Sequence, residues 1–391
     1  MVWRKFEMLK VLYITTSYFP TLNGTTLRAN NLFKPLKNKK LCEFRVLTPR
    51  KNAAGKPIYK VRVEDYEIID GVHVHRVEKP FDLIGAIRRI CKQYPIDVIE
   101  VRHPRFALYG FLSNVRKPII LHLGSIECYN NLVKRLLAKF TYRISNKIIV
   151  LSRSAKEVLV NKFNIQEDKI EVIINGVDIE EFNSNRINNI DIRKKYHISE
   201  RYIVGYVGKF GEWEGLRYLI KCVPYVIKEV KSVKFFLVGY GSDFDYVNNL
   251  VKKLGIEDKV ILPGDVLPED VPSYIDSMDV FVIPRISSLT TETAIPLKVL
   301  EAMAMGKAII GTKVAGLAEV IDNNKNGILI NPDDEEQLAN AIIKVLRNSF
   351  LRNQLGINAR RKIETNCEYR WDFASRKLYK LYSEVVNKRT Q

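Results

Sequence analysis

Residues 279–312 read DVFVIPRISSLTTETAIPLKVLEAMAMGKAIIGT, and this stretch decides the fold. Apolar runs at 279–283 and 307–312 predict two strands. Between them, 296–305 predicts a helix that ends at Gly306, and its almost wholly apolar body indicates that it is buried. A strand, a helix and a further strand in succession indicate parallel strands of one sheet with the helix packed on its face.

The same alternation of short apolar runs and longer amphipathic segments continues along the 391 residues. Further strands are predicted at 9–16, 44–48, 72–77, 97–102, 118–123, 147–152, 169–174, 201–208, 233–239, 259–263 and 327–331. Further helices are predicted at 27–36, 82–93, 130–144, 153–163, 213–230, 245–254, 315–321, 334–347 and 371–387. The helix 213–230 has a clear apolar face, to which Trp213 belongs.

The alternating pattern begins once in each half of the chain, and the polar segment 183–200 separates the two halves. We therefore predict an α/β protein of two doubly wound, Rossmann-like parallel-sheet domains that face each other across a ligand-binding cleft. The first domain spans 1–185, with the C-terminal helix 371–391 packed back onto it, and the second spans 186–370.

Composition excludes several classes of protein. With 46% hydrophobic and 27% charged residues, the chain is neither disordered nor collagen-like, and no stretch reaches the ~18 apolar residues of a membrane span. Residues 1–16 lack the small-residue cleavage site of a secretory signal. The five cysteines are odd in number and far apart, which favours free thiols in a reducing cytoplasm, and the histidines lack metal-ligand spacing.

Positive charge is concentrated in the first half of the chain. Residues 1–190 hold 33 Lys and Arg against 18 Asp and Glu, a net charge of +15, whereas the rest of the chain carries +4. Such asymmetry favours a polyanionic partner for the first domain, namely anionic lipid, nucleic acid or a phosphorylated acceptor. The amphipathic, basic stretch 132–143 suits a membrane surface, but an ordinary core-facing helix with a solvated back is the preferred interpretation.

Three glycine-containing turns follow predicted strands. Gly24 precedes a helix, and Gly239 and Gly241 stand at the end of the strand 233–239. A glycine there lets the main chain approach a phosphate, a base or a ribose, and a plain tight turn is the alternative for each. In the turn GKFGEWEG, Lys209 stands where a cation would meet a diphosphate, unless it is simply one solvated lysine among many.

Glu301 is a carboxylate within the apolar helix 296–305. Burying it without a partner would cost several kcal/mol, so we expect it to have one. The ribose hydroxyls of a ligand would serve, and so would an ion pair with Lys298 or Lys307. Lys298 lies three residues before Glu301 and shares its helix face.

Several segments together resemble glycosyltransferase family 4, the retaining glycosyltransferases of the GT-B fold. The matching motifs are NKIIVLS at 146–152, VIINGVDIEEF at 172–182, FFLVGYG at 235–241, DVFVIP at 279–284, EAMAMGK at 301–307 and GILI at 327–330. The resemblance implies that the second domain binds a nucleotide-diphosphate sugar and that the first binds the acceptor. It implies transfer with retained anomeric configuration, with no cofactor and no required metal.

The resemblance also assigns roles to individual residues. Glu301 would bind the ribose hydroxyls, Lys209 would take the place of the family's diphosphate-binding arginine, and Gly24 would contact the sugar phosphate. Gly239 and Gly241 belong to the donor-side glycine motif. His122, at the end of the strand 118–123, is the candidate for the family's catalytic-domain histidine, although it stands slightly early in the sequence.

The sequence departs from the family pattern in several places, among them the longer segment between Pro284 and Glu301 and two positions that are charged in the family. The family's glutamate eight residues before Glu301 is Thr293 here, and Glu292, one step off, is the candidate catalytic carboxylate only with a shift in register. The family's second diphosphate lysine falls on Glu214, of opposite charge, and Lys298 is the hypothetical source of the missing positive charge.

The sequence therefore predicts a hexosyltransferase-type enzyme that moves a sugar from a nucleotide sugar to a lipid-linked or cell-surface glycan precursor. It is expected in the cytoplasm, with peripheral attachment to the inner face of the cell membrane as an option. The alternatives are a catalytically degenerate binding protein on the same scaffold, suggested by Thr293 and Glu214, and a basic nucleic-acid-binding protein. No recognition module for nucleic acid is visible, so nucleic acid is not the expected partner.

Overall fold

The computed structural model describes residues 8–127, 131–186 and 190–388, and it divides into two units. The first unit consists of Met1–Asn175 with Trp371–Gln391, and the second of Gly176–Arg370. The predicted features at Met1–Glu7, Cys128 and 187–189 lie outside the described residues.

The first unit is built on a sheet of eight strands, each formed by a short run rich in β-branched and aliphatic residues. They are β1 (Leu9–Ile14), β2 (Cys42–Pro49), β3 (Tyr66–Ile69), β4 (Val72–Val77), β5 (Val98–Val101), β6 (Ile119–His122), β7 (Lys147–Val150) and β8 (Ile170–Val172). Their order is β3-β4-β2-β1-β5-β6-β7-β8, and only the β3–β4 pair is antiparallel. In the register of β1, Val11 lies opposite Phe44 on one side and Val98 on the other.

Helices pack against this sheet and bury its apolar side chains. Those that precede the second unit are α1 (Gly24–Asn38), α2 (Leu83–Gln93), α3 (Pro104–Leu112), α4 (Leu132–Ile144) and α5 (Arg153–Phe163). In the core, the Phe33 ring of α1 stacks on Phe44 of β2, with their centroids 3.8 Å apart.

The second unit is built on a wholly parallel sheet. Its strands are β9 (Tyr202–Val207), β10 (Val233–Val238), β11 (Val260–Gly264), β12 (Val280–Ile283), β13 (Ala308–Thr312) and β14 (Ile328–Ile330), in the order β11-β10-β9-β12-β13-β14. Its helices are α6 (Ile192–Lys195), α7 (Leu216–Glu229), α8 (Phe244–Lys253), α9 (Val271–Asp276), α10 (Leu289–Glu292), α11 (Leu297–Ala304), α12 (Ala315–Ala318), α13 (Glu335–Arg347) and α14 (Ser349–Thr365). The order reverses between β9 and β12, and a crevice for ligands opens beyond the strand ends at such a reversal.

The C-terminal helix α15 (Trp371–Asn387) belongs to the first unit, although the whole second unit precedes it in the chain. It packs against α1, where the Ser375 hydroxyl donates to the Leu32 carbonyl oxygen over 3.0 Å. Leu378 and Tyr382 lie in the same apolar core as the strand residues of this unit.

The change from one unit to the other comes ten residues before the boundary expected at 185/186. The Val177 amide donates to the Tyr369 carbonyl oxygen over 2.9 Å, and the Arg360 guanidinium donates to the Phe182 carbonyl oxygen over 2.7 Å. These bonds attach 176–182 to the second unit. The boundary therefore precedes the polar segment 183–200, from which it was predicted.

Each predicted strand is present, with ends within a few residues. The helix predicted at 213–230 begins only at Leu216, because Gly215 adopts a left-handed conformation with φ +67°. Placing Trp213 on its buried face was therefore wrong: this residue lies in a short 3₁₀ turn before the helix and is 37% exposed. The edge strand β3 and the helices α3, α6, α9, α10 and α14 were not predicted.

The described cysteines are Cys42, Cys91, Cys222 and Cys367, and all four are free thiols, as predicted. Across 8–127, 131–186 and 190–388, no helix combines the length and apolarity that crossing a membrane requires.

Candidate functional site

Three polar side chains meet in the second unit where the strand order reverses. Glu214 comes from the turn after β9, Arg285 from the turn after β12, and Lys298 from the first turn of α11. The Lys298 Nζ lies 2.9 Å from the Glu214 Oε2, and the Arg285 Nε lies 3.7 Å from the same oxygen. The carboxyl ends of parallel strands thus gather one carboxylate and two cations in one cluster.

Further hydrogen bonds hold this cluster in place. The Trp213 indole donates to the Glu214 Oε1 over 3.1 Å, and Lys298 donates to the Tyr206 hydroxyl over 2.5 Å. Arg285 donates to the Ala294 carbonyl oxygen over 3.0 Å. The carboxylate is therefore shared among several donors.

The electrostatics of the cluster leave it with a surplus of one positive charge. Burial alone would raise the pKa of Glu214, but the nearby Lys298 and Arg285 outweigh burial and hold that pKa below its ordinary value. Burial lowers the pKa of Lys298, and Glu214 opposes this effect. With Glu214 ionised and both cations protonated, the sum of charges is positive, which suits an anionic ligand.

Lys209 stands beside this cluster with its side chain exposed. Its Nζ lies 5.9 Å from the centroid of the Trp213 ring, and its carbonyl oxygen accepts a 2.8 Å hydrogen bond from the Tyr206 hydroxyl. The turn therefore fixes the backbone of Lys209 and leaves its ammonium group open to solvent, where it can meet an anion.

Gly239 and Gly241 are required by the protein's own backbone. A Cβ at Gly239 would lie 1.9 Å from the Gly208 carbonyl oxygen, and one at Gly241 would lie 2.1 Å from the Phe210 carbonyl oxygen. Gly239 also has φ +130°, where other residues are strained. The tight-turn interpretation is enough to explain both glycines, and their contact with a donor stays a prediction.

Glu301 lies half-buried on α11, close to the cluster. Burial and, to a smaller extent, the neighbouring carboxylate of Glu181 raise its pKa, Lys298 opposes both effects, and the pKa is raised to about 7. Neither lysine that the sequence offered as an ion-pair partner takes that role, because Lys298 pairs with Glu214 and Lys307 pairs with Asp276 over 3.2 Å. The carboxylate thus stays available for a ligand.

Glu292 already has hydrogen-bond partners. It accepts from the Ser287 hydroxyl over 2.7 Å and from the Ala315 amide over 2.6 Å. Thr293 is buried, and its hydroxyl donates to the Leu289 carbonyl oxygen over 2.6 Å. A catalytic role for Glu292 therefore stays a prediction. In that role its carboxylate would keep the hydrogen bonds from Ser287 and Ala315.

Gly24 lies in the first unit, at the first position of α1. The side chain of Asn23 caps the helix by accepting from the Thr25 and Thr26 amides over 3.0 Å. A Cβ at Gly24 would meet nothing within 4 Å, so the fold of the unit does not require a glycine there. Its contact with a sugar phosphate stays a prediction.

His122 is buried in the first unit with both ring nitrogens occupied. The Arg28 Nε donates to Nε2 over 3.0 Å, so Nδ1 carries the proton and donates to the Glu100 Oε1 over 2.6 Å. Burial, together with Arg102 and Arg28, lowers the pKa of His122 well below its ordinary value. The ring is a neutral member of a buried network, and its catalytic role stays a prediction.

The network around His122 extends to distant parts of the first unit. Arg28 also donates to Asn175 over 2.6 Å and to the Ile173 carbonyl oxygen over 2.7 Å, and the Tyr382 hydroxyl donates to Glu100. Sequence reasoning missed Arg28, Glu100 and Tyr382, because the hydrogen bonds of this network join residues far apart in the chain, which no local motif or spacing indicates.

The structure brings some predicted residues together and separates others. Lys209, Lys298 and Glu301 share the second unit with Glu214, whereas Gly24 and His122 belong to the first unit. Sequence reasoning also missed Arg285, which its position directly after the apolar run 279–284 could have revealed. Within the described ranges, no group of three or more His, Cys, Asp or Glu side chains is placed to hold a metal ion.

Two family models match the chain in succession. The model described as Glycosyltransferase Family 4 matches residues 23–181, and the one described as Glycosyl transferases group 1 matches residues 188–362. Together the two matches account for most of the chain.

Curated relatives and a solved structure agree with these matches. An uncharacterised glycosyltransferase of Methanocaldococcus jannaschii is 25% identical over 83% of this chain and 88% of its own length. The Escherichia coli UDP-Gal:α-D-GlcNAc-diphosphoundecaprenol α-1,3-galactosyltransferase is 28% identical over 78% of this chain and 73% of its own. The crystal structure of Anabaena HepE with UDP-glucose has a TM-score of 0.80 at 18% identity, covering 96% of this chain and all of that one. The chain therefore belongs to the group 1 glycosyltransferases of family 4 and has the two-domain GT-B fold.

Proposed function

We propose that this enzyme is a retaining hexosyltransferase that takes its sugar from a nucleotide-diphosphate sugar bound in the second unit. The observation that carries the proposal is the half-buried carboxylate of Glu301, which neither nearby lysine pairs with, beside a cluster of net positive charge. A carboxylate accepts hydrogen bonds from two adjacent hydroxyls, and cations stabilise a diphosphate.

The proposed roles follow from this placement. Glu301 accepts from the ribose hydroxyls, and Lys209 and Lys298 stabilise the diphosphate as it becomes the leaving group. Gly24, Gly239 and Gly241 allow main-chain approach to the donor. The proposal needs neither a cofactor nor a metal ion, because side-chain cations and main-chain amides supply the positive charge.

The proposed acceptor is a lipid-linked or cell-surface glycan precursor, bound by the basic first unit. The E. coli relative acts on a diphosphoundecaprenol-linked sugar, as its name states. The net charge of +15 in residues 1–190 suits such an anionic acceptor and a site of action at the cytoplasmic face of the membrane.

The test is a screen of UDP-, GDP-, ADP- and dTDP-sugars by thermal shift, followed by a turnover assay with the sugar that binds. A ligand at about a hundred times its Kd stabilises the folded chain by ~2.7 kcal/mol, which a thermal melt detects. We expect one nucleotide class to raise the Tm and its sugar to be hydrolysed slowly or transferred. NMR of the product is expected to show the anomeric configuration of the donor.

The second candidate is a binding protein on a degenerate scaffold, and Thr293 and Glu214 favour it. A nucleotide sugar that raises the Tm but is never turned over, with any acceptor or with water, would support this alternative and refute the transferase.

A further inference from the structure

The outer side of α4 is apolar and exposed. Its sequence is LVKRLLAKFTYRI, and only Ala138, Thr141 and Tyr142 are buried. Leu132, Val133, Leu136 and Phe140 are between 43% and 71% exposed. The structure thus contradicts the interpretation of this stretch as an ordinary core-facing helix, because its large apolar side chains face solvent.

The apolar surface continues onto α3. Phe111 and Leu112, at the end of that helix, are about half exposed, and the Phe111 ring packs edge-on against Phe140 with centroids 6.0 Å apart. We call these six exposed side chains the docking face: Phe111, Leu112, Leu132, Val133, Leu136 and Phe140. A continuous apolar patch on two neighbouring helices indicates an interaction site.

Positive charge lies directly beside the docking face. Arg135, Lys139 and Arg143 recur every four residues, so they form a stripe along one edge of the apolar face of α4. Between residues 104 and 144 the chain has seven Lys and Arg and a single acidic residue, Glu127. A helix with an apolar face and a basic edge lies flat in the headgroup region of an anionic bilayer.

We propose that the docking face binds the surface of an anionic lipid bilayer, with its apolar side chains among the acyl chains and its basic stripe at the headgroups. This inference rests on the proposed function, because it names the surface that would bring the enzyme to a lipid-linked acceptor in the membrane. Its test uses vesicles without a sugar donor, so a failure of docking is distinct from a failure of transfer.

The experiment measures co-sedimentation of the full chain with two kinds of vesicle, phosphatidylcholine alone and phosphatidylcholine mixed with phosphatidylglycerol. We expect binding to the anionic vesicles only, weakened by added salt because salt screens the attraction. The triple change Arg135→Gln, Lys139→Gln and Arg143→Gln is expected to weaken partitioning at least roughly tenfold. The double change Leu136→Ser and Phe140→Ser is expected to weaken it as well, since the apolar side chains insert.

Matched controls come from exposed positions of the second unit. Lys228→Gln, Lys252→Gln and Lys253→Gln remove the same amount of charge, and Tyr246→Ser with Phe350→Ser removes two exposed rings. These controls are expected to bind vesicles as the unchanged chain does. A thermal melt of every variant shows that each is folded.

Two results would overturn the proposal. One is equal binding of the unchanged chain to neutral and anionic vesicles, or to neither. The other is a Leu136→Ser and Phe140→Ser variant that binds anionic vesicles normally. If this variant also loses a dimer seen by sedimentation of the unchanged chain, the docking face is assigned to a second copy.

Discussion

Glu301 is subject to two opposing demands at the scale of a single residue. Burial raises its pKa to about 7, yet the ionised form is the better acceptor for two ribose hydroxyls. We expect the affinity for the nucleotide sugar that the screen identifies to level off well above pH 7 and to fall about tenfold between pH 8 and pH 6, as the carboxylate is protonated. Calorimetric titration between pH 8 and pH 6 measures this dependence.

The variant Glu301→Gln separates binding from stability. It is expected to bind the sugar nucleotide weakly and without pH dependence. Because the folded chain holds the Glu301 proton more tightly than the unfolded chain, ionisation costs stability as the pH rises from about 4.5 to 7, and Gln removes that cost. The assigned role of Glu301 is supported if Glu301→Gln is no less stable than the unchanged chain at pH 8 but binds the nucleotide sugar poorly. It is contradicted if the affinity of the unchanged chain for the nucleotide sugar does not change with pH.

Lys298 has a structural role as well as a proposed one, so a single substitution at this position is ambiguous. Removing its ammonium leaves buried Glu214 with the Trp213 hydrogen bond and the more distant Arg285 as the remaining cation of the cluster, and breaking such a pair costs ~3–5 kcal/mol. We expect Lys298→Met to be strongly destabilised and the double variant Glu214→Gln with Lys298→Met to recover most of the loss. Urea denaturation measures both effects.

The double variant then tests the diphosphate role of Lys298 in a folded protein. It removes one positive and one negative charge, so the net charge of the cluster is unchanged. If the ammonium itself contacts the diphosphate, donor affinity falls at least roughly tenfold, the value of about one lost charged hydrogen bond. Unchanged affinity would show that Lys298 serves only to neutralise Glu214.

At the scale of elements, a buried carboxylate joins α15 to the sheet of the first unit. Glu100 of β5 is fully buried and accepts from Tyr382 of α15 as well as from His122 of β6. Tyr382→Phe removes one hydrogen bond to this charged group and leaves the packing intact. We expect a loss of ~1.5–3 kcal/mol in the opening free energy of α15, measured by hydrogen exchange of its amides.

The control for this prediction is Tyr225→Phe, the same chemical change at an exposed position of α7. It is expected to alter stability by less than ~0.5 kcal/mol. Equal protection of the α15 amides in Tyr382→Phe and in the unchanged chain would mean that the bond contributes no net stability.

Elements with a strongly apolar sequence could be predicted, whereas elements with a mostly polar sequence were missed. The central strands are continuous apolar runs, so their positions are readable from the sequence alone. The edge strand β3 was missed because Tyr66 and Ile68 alternate with polar residues and face solvent. The helix α14 was missed because it is mostly polar, and only Leu355, Gly356, Ala359 and Ile363 are buried.

At the scale of the whole molecule, the sequence identified two sheet units and the helix that carries Glu301, because both follow from local pattern. Spacing could not reveal the ion pair of Glu214 and Lys298, since the two residues are 84 positions apart, and only the family resemblance connected both of them with the diphosphate. The buried Arg28–His122–Glu100 network was hidden for the same reason. Contacts between residues that are far apart in the chain can be identified only once the fold is known.

The placement of α15 in the first unit has a consequence for the order in which the protein is made. The sheet of this unit is synthesised first, but residues 371–387 complete its core only after the ribosome has added all of 176–370. The second unit is continuous in sequence and can fold as it emerges. During translation, the apolar side chains of α1 that α15 covers therefore stay exposed until the last residues of the chain have been made.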